Sequence, residues 1–124
     1  LADITRSLHA DPGAFSQGAL KTLARVSPLA AACTIEMQHR LGTSPDLRRA
    51  LALEYRFTFR AQGESDFLEG IRAAIIDKDR TPKWRHADAA CVPAVAVSRM
   101  LMPLGADALT FPPDLPPHIQ GDTP

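Results

Sequence analysis

The sequence predicts an all-α protein, a small bundle of about five helices with an extended Pro-rich tail. Three observations carry that reading. Apolar residues recur at helical spacing as far as Leu104, and no alternating strand pattern competes with them. Ser27-Pro28 and Ser44-Pro45 have the form of helix starts, and Gly42 and Gly63 follow them as stops. Beyond Gly105, Pro112, Pro113, Pro116, Pro117 and Pro124 interrupt any regular element. The predicted division is therefore a helical region over 1–105 and an extended or disordered tail over 106–124.

The elements follow in order. ADITRSLHA reads as a helix or short connector that ends at Ala10-Asp11-Pro12-Gly13. A second segment runs from about Pro12 to Val26, with Phe15, Ala19, Leu20 and Leu23 at helical spacing. The third begins at Ser27, whose hydroxyl can cap, and at Pro28, whose missing N–H costs nothing at the first helical position. It should stop at Leu41-Gly42, because glycine accepts the left-handed cap conformation.

Ser44-Pro45 opens a long fourth helix that Gly63 should close. On a helical wheel Arg49, Arg56 and Arg60 fall together and predict the wet face. Leu47, Leu51, Leu53, Tyr55 and Phe57 spread over the rest, so this helix should be buried over much of its circumference. Glu54 falls near the middle of that apolar arc. A buried carboxylate requires a partner; the predicted one is an arginine, Arg72 first, or backbone amides.

A fifth helix should start near Ser65-Asp66, with Asp66 and Glu69 three apart as in a capping box. Phe67, Ile71, Ala74 and Ile75 form its predicted inward stripe, and Gly70 permits close approach of another backbone. From Asp77 to Asp88 the chain is charged and contains Pro82, which predicts a loop. PAVAVSRMLMPL, from Pro93 to Leu104, reads as a last apolar helix.

Composition narrows the function classes. The 124 residues carry 14 basic and 14 acidic side chains, so a general cationic footprint for nucleic acid is missing. No window approaches a membrane span of about 20 apolar residues, and no secretory leader opens the chain. The start at Leu1 suggests a truncated or processed polypeptide. Cys33 and Cys91 do not make a disulfide framework, so a reduced, intracellular protein is expected.

His9, His39, His86 and His118 lack the close spacing of a helical metal pair, and neither CxxC nor HExxH occurs. No G-x-S-x-G elbow is present. Cys33, among alanines, reads as a small buried hydrophobe. Lys78, Arg80, Lys83 and Arg85 gather positive charge around Trp84. Two readings of that loop stand side by side. It is an anion site built from cations and an aromatic face, or a solvated loop neutralised by Asp77, Asp79 and Asp88 and anchored by Trp84.

The run from Leu53 to Trp84 resembles the C-terminal helical region of the 3-hydroxyisobutyryl-CoA hydrolase branch of the enoyl-CoA hydratase/isomerase (crotonase) superfamily. Three words carry the resemblance. They are Glu54-Tyr55-Arg56; Asp66-Phe67-x-Glu69-Gly70-x-Arg72-Ala73; and Ile76-Asp77-Lys78-Asp79 followed by Pro82-Lys83-Trp84. Weaker agreement extends upstream through Ser27-Pro28, so most of the region from about Phe15 to Ala89 is covered. Two departures stand out. Ala30 and Ala32 replace the serine and lysine usual in relatives, and the segment from Val92 is more apolar than theirs.

The resemblance implies a helical cap and association part of an acyl-CoA thioester hydrolase in valine breakdown. The strand-rich catalytic core would precede this region, so no catalytic residue is expected within it. It implies possible contacts from Lys78, Lys83 and Trp84 to the nucleotide end of a coenzyme A thioester. Structural roles fall to Glu54, Arg56, Asp66, Phe67, Glu69, Gly70 and Arg72. The implied partners are the N-terminal catalytic core and further copies in a homo-oligomer, with the wide apolar face of helix 45–62 buried between copies or against other helices. Acyl-CoA is the substrate; no covalent cofactor, metal, nucleic acid or membrane is expected. The compartment is the cytoplasm, or the mitochondrial matrix if the source is eukaryotic. Two alternatives remain: a part of an enoyl-CoA hydratase or isomerase, and a freestanding helical binding module, such as a helix-turn-helix regulator using Arg48, Arg49 and Arg56.

Overall fold

The computed structural model describes residues 1–43 and 46–112. Among them lie six α-helices and no strand: α1 (Ala2–Ala10), α2 (Ala14–Leu23), α3 (Pro28–Leu41), α4 (Leu47–Glu64), α5 (Phe67–Ile71) and α6 (Ala94–Met100). A π-helical turn, Arg72–Ile76, prolongs α5, and short 3-10 turns occupy Ala89–Cys91 and Gly105–Asp107. The expected all-α architecture is present. The opening segment is a complete helix rather than a connector, and it packs on α2.

Local chemistry explains most boundaries. Asp11 breaks the chain between α1 and α2: its carboxylate accepts the Gly13 N–H at 2.9 Å and the Ser16 hydroxyl. Those donors hold the Asp11 carboxyl below its usual range. Ser27 caps α3 by accepting the Ala30 N–H, with Pro28 at the first position. Gly42, at φ 60°, ends it in the left-handed region that favours glycine.

The start of α4 is capped by Asp46, which accepts the Arg49 N–H at 3.0 Å; Ser44 and Pro45 lie outside the described residues. Gly63 does not close that helix. It remains inside, and Ser65 stops the next turn by donating to the Ala61 carbonyl at 2.7 Å while accepting the Phe67 N–H. The tail call falls partly outside description: residues 108–112 have no regular structure, and 113–124, with Pro113, Pro116, Pro117, His118 and Pro124, lie outside the described residues.

The core sits where α3, α4 and α6 meet. Leu29 and Cys33 of α3 pack with Met100 and Leu101 at the end of α6, all nearly inaccessible, and Met37, Phe57 and Val97 close around them. Burying a side chain such as Leu101 contributes about 1.5–3 kcal/mol. Cys33 is the buried hydrophobe expected, and burial pushes its thiol up to about 11.

The arginine face of α4 is a correction. A wheel assigned Arg49, Arg56 and Arg60 to solvent; Arg49 is exposed as expected, but Arg56 and Arg60 are half-buried, and all three reach carbonyls. Arg60 donates to Met100, Met102 and Pro103 at 3.2, 2.8 and 3.2 Å, and Arg56 to Leu101 at 3.3 Å. Arg40 of α3 adds a bond to the Leu101 carbonyl, and Arg49 donates to the carbonyl of Arg40. The last carbonyls of a helix have no partner within it and carry its negative dipole end. Guanidinium groups therefore fasten the end of α6 to α3 and α4.

Glu54 is corrected as well: it is exposed, and its expected partner Arg72 is bonded elsewhere. In this chain the α4 surface bearing Leu47, Leu51 and Phe59 is also open rather than covered. The inward stripe of α5 fares similarly. Phe67 is 49% and Ile75 64% exposed, and Ala73 is the buried residue of that segment.

Candidate functional site

Among the described residues, a dense polar construction lies in the segment after α5, where a single guanidinium organises the turn. Arg72 grips Glu69 with two parallel bonds, Nε to Oε2 at 2.9 Å and an NH2 nitrogen to Oε1 at 2.7 Å. Its other arm reaches Asp77 at 2.6 Å and Asp79 at 2.7 Å, and the Thr81 carbonyl accepts at 3.3 Å. A planar fork with five donors suits this role, which a lysine could not fill. Asp79 in turn accepts the Thr81 N–H, and Glu69 accepts the Lys83 N–H at 2.6 Å.

Electrostatics follow from these contacts. The Arg72 guanidinium and the Lys83 N–H bring the Glu69 carboxyl down to about 2. Arg72 also holds Asp79 below the usual carboxylate range, and the three carboxylates raise Arg72 itself. Glu69 is thus committed to Arg72 and to the loop rather than to a capping box. Asp66 does not cap α5 either: its side chain makes no bond to the helix's N–H groups.

Asp66 instead closes a second knot. It is 3% exposed, accepts the Ser27 hydroxyl at 2.6 Å and accepts the Arg85 N–H at 2.9 Å. One carboxylate therefore joins the start of α3, the start of α5 and the far end of the loop. Trp84 lies between the two knots, half-buried. Its ring tip stands against Gly70: a Cβ at Gly70 would meet Trp84 at 3.5 and 3.7 Å. What lies against Gly70 is thus an aromatic ring at ordinary contact distance, not the backbone expected.

The loop separates its charges by alternation. Asp77 and Asp79 turn toward Arg72, while Lys78 and Arg80 between and after them are exposed. Both cations sit at φ 56°, in the left-handed region. For a residue with a Cβ this costs roughly 1–2 kcal/mol. The Arg80 N–H pins the conformation by donating to the Ala73 carbonyl at 3.0 Å. The acids that sequence reasoning assigned to neutralising the loop are therefore consumed, in the case of Asp77 and Asp79, by Arg72. Asp88 is turned to the Ala90 and Cys91 N–H groups at the next 3-10 turn.

The structure thus keeps Lys78, Lys83 and Trp84 on one loop but gives them different settings. Lys78 and Lys83 are exposed cations, and Trp84 is an anchor whose edges border adjoining clefts. One cleft, of about 270 Å³, is apolar and lies against Phe57, Phe67, Ile71 and Ile75. Sequence reasoning gave Arg72 a structural role but the wrong partner, Glu54; an arginine three residues after Glu69 and shortly before Asp77 and Asp79 was the available signal for its actual partners. Among the described residues, no three His, Cys, Asp or Glu side chains form a metal-binding group. No helix among them is long and apolar enough to cross a membrane.

A protein-family model described as enoyl-CoA hydratase/isomerase matches residues 1–101. A curated relative, the mitochondrial 3-hydroxyisobutyryl-CoA hydrolase of Homo sapiens, is 34% identical over 109 residues, covering 88% of this chain and 28% of the relative. The protein of the same name from Danio rerio is 36% identical over 90 residues, 73% of this chain and 23% of that one. A crystal structure of an enoyl-CoA hydratase from Rhodobacter sphaeroides 2.4.1 aligns with a TM-score of 0.86 at 57% identity, over 89% of this chain and 33% of that chain. The chain spans about a third or less of the length of these relatives.

Proposed function

We infer from the family to which this chain belongs, the enoyl-CoA hydratase/isomerase family, that it serves as the helical cap and association part of an acyl-CoA-processing enzyme. The reaction we propose for the whole enzyme is hydrolysis of a 3-hydroxyisobutyryl-CoA-like thioester, a step of valine breakdown. The curated relatives bear that hydrolase name. Catalytic groups come from the part of the enzyme outside this chain, and the chain alone is inactive. Its compartment follows the source: cytoplasm, or the mitochondrial matrix in a eukaryote.

The observation that carries the reading is the charge separation of the loop. Arg72 gathers Glu69, Asp77 and Asp79 and leaves Lys78 and Lys83 outward. Exposed ammonium groups on a turn pinned by hydrogen bonds suit the phosphates at the nucleotide end of coenzyme A, which lysine recognises as a point charge. Exposed Leu47, Leu51, Leu68 and Ile76 support packing against the remainder of the enzyme or a second copy. A second reading, hydration of an enoyl-CoA, is favoured by the 57% identity to the solved Rhodobacter protein.

The deciding experiment is a paired assay of the full-length protein on 3-hydroxyisobutyryl-CoA and crotonyl-CoA, with the isolated chain alongside. Thiol release from the former supports the hydrolase reading. Hydration of crotonyl-CoA without thiol release moves the enzyme to the hydratase branch. Lys78→Gly removes the ammonium while relieving the left-handed strain; a KM raised about tenfold with kcat little changed supports the loop contact. Activity in the isolated chain overturns the assignment of catalysis to the rest of the enzyme.

A further inference from the structure

Lys78 stands in sequence between two carboxylates, Asp77 and Asp79, and its side chain has no ion-pair or hydrogen-bond partner among the described residues. Both acids turn the other way, onto Arg72, at 2.6 and 2.7 Å. Their attachments differ. Asp77 meets Arg72 through Oδ2, whereas Asp79 uses both oxygens, Oδ2 for Arg72 and Oδ1 for the Thr81 N–H at 2.9 Å. The Arg72 guanidinium first, and then the Thr81 N–H, hold the Asp79 carboxyl below its usual range.

Asp79 also lies between the two residues held at positive φ, Lys78 and Arg80, both at 56°. A residue with a Cβ keeps that conformation only where its surroundings impose it. The imposing bonds fall on either side of Lys78. The Asp77 N–H donates to the Arg72 carbonyl at 2.8 Å and the Arg80 N–H to the Ala73 carbonyl at 3.0 Å, while Asp79 ties the turn to the guanidinium and to Thr81. The exposed Lys78 side chain is therefore aimed by its backbone alone, and Asp79 is the side chain that locks that backbone on both sides of Arg80.

We propose that Asp79 is a positioning residue: by tying the turn to Arg72 and to the Thr81 N–H, it directs the Lys78 ammonium toward the phosphates of coenzyme A. The inference rests on the lysine contact proposed above. Its sign separates it from plain electrostatics. A carboxylate beside a cation repels an approaching phosphate, so deleting the Asp79 charge would tighten coenzyme A if charge alone mattered. A residue that aims the lysine has the opposite effect, because a charge-assisted hydrogen bond depends on placement.

The test is titration calorimetry of the full-length protein with coenzyme A at low ionic strength, comparing Lys78→Gly, Asp79→Asn and the double variant with the parent. Asp79→Asn is close to isosteric and keeps one oxygen where the turn uses two. Lys78→Gly should weaken coenzyme A about tenfold, and Asp79→Asn about threefold or more. Arg72→Lys keeps the charge but loses the fork, and should reproduce the Asp79→Asn loss with the net charge unchanged. In the Lys78→Gly background, Asp79→Asn should alter affinity by less than about twofold, since the group it aims is gone.

Parent-like or tighter binding in Asp79→Asn, with Lys78→Gly weakened, overturns the positioning role and leaves the lysine contact standing. A further loss in the double variant overturns it as well, because the effect then bypasses the lysine. Parent-like affinity in Lys78→Gly, or no measurable affinity in the parent, overturns the lysine contact and the positioning role together.

Discussion

Replacing Asp66 by alanine should destabilise the chain by about 2–4 kcal/mol. Asp66 is 3% exposed and accepts two hydrogen bonds, from the Ser27 hydroxyl at 2.6 Å and the Arg85 N–H at 2.9 Å. A hydrogen bond to a charged group contributes about 1.5–3 kcal/mol, and an unsatisfied buried donor costs about 1–3 kcal/mol. Arg85 is exposed, so its N–H regains water and the second bond counts for less. Asp66→Asn retains one acceptor and should cost about half as much. Ser27→Ala also removes the α3 cap, worth about 1 kcal/mol. In the double mutant the losses should fall short of additivity by about 1–2 kcal/mol, since both variants break the same bond.

Denaturant unfolding followed by the chain's single tryptophan reads these differences, and amide exchange at Arg85 reads the loop end directly. Protection of the Arg85 amide should disappear in Asp66→Ala while the α3–α6 core stays protected. Stability within about 0.5 kcal/mol of the parent, with Arg85 still protected, would falsify the claim that this carboxylate ties the loop to the bundle.

Further outcomes are expected elsewhere. Glu69 has a folded carboxyl lowered to about 2 from 4.5, so its contribution to stability is present above 4.5 and is lost as pH falls toward 2. Unfolding measured from pH 6 to 2 should show that loss, and Glu69→Gln should flatten it; equal pH slopes would count against the Arg72 hub. Of the chain's two thiols, exposed Cys91 should react with an aromatic disulfide reagent at neutral pH, while Cys33 should wait for denaturation. Two fast thiols in the native state would contradict the core packing. Gly70→Ala should be tolerated within about 1 kcal/mol, because the new Cβ meets Trp84 at ordinary contact distance. Gly70→Leu should displace the ring and red-shift its emission, and unchanged fluorescence would place the indole elsewhere.

Much of the architecture was legible because its signals are local. Ser27 and Pro28 start α3, Gly42 stops it at positive φ, and the Asp77–Asp88 segment avoids regular helix beyond the π turn, all as the residues themselves indicate. The capping box at Asp66 and Glu69 failed for a long-range reason. Each carboxylate is taken by partners other than the helix N–H groups: a hydroxyl 39 residues away and the Arg85 N–H for Asp66, a guanidinium fork for Glu69. The charged loop was recognised, but not that Arg72 would draw in Asp77 and Asp79 and leave Lys78 and Arg80 outward.

The sequence by itself therefore determined the helical class, most helix starts, the loop and the family words around it. Tertiary structure alone decided which charges meet. A wheel of α4 shows arginines on one side but cannot show that the end of α6 arrives there with unpaired carbonyls 40 to 43 residues further along the chain. Nor can it show that Glu54, central in an apolar arc, faces outward in this chain while Leu53 beside it is buried. Spacing along one helix sets which side chains share a face; what covers that face depends on where distant segments fold back, and hydrogen-bond partners are chosen only then.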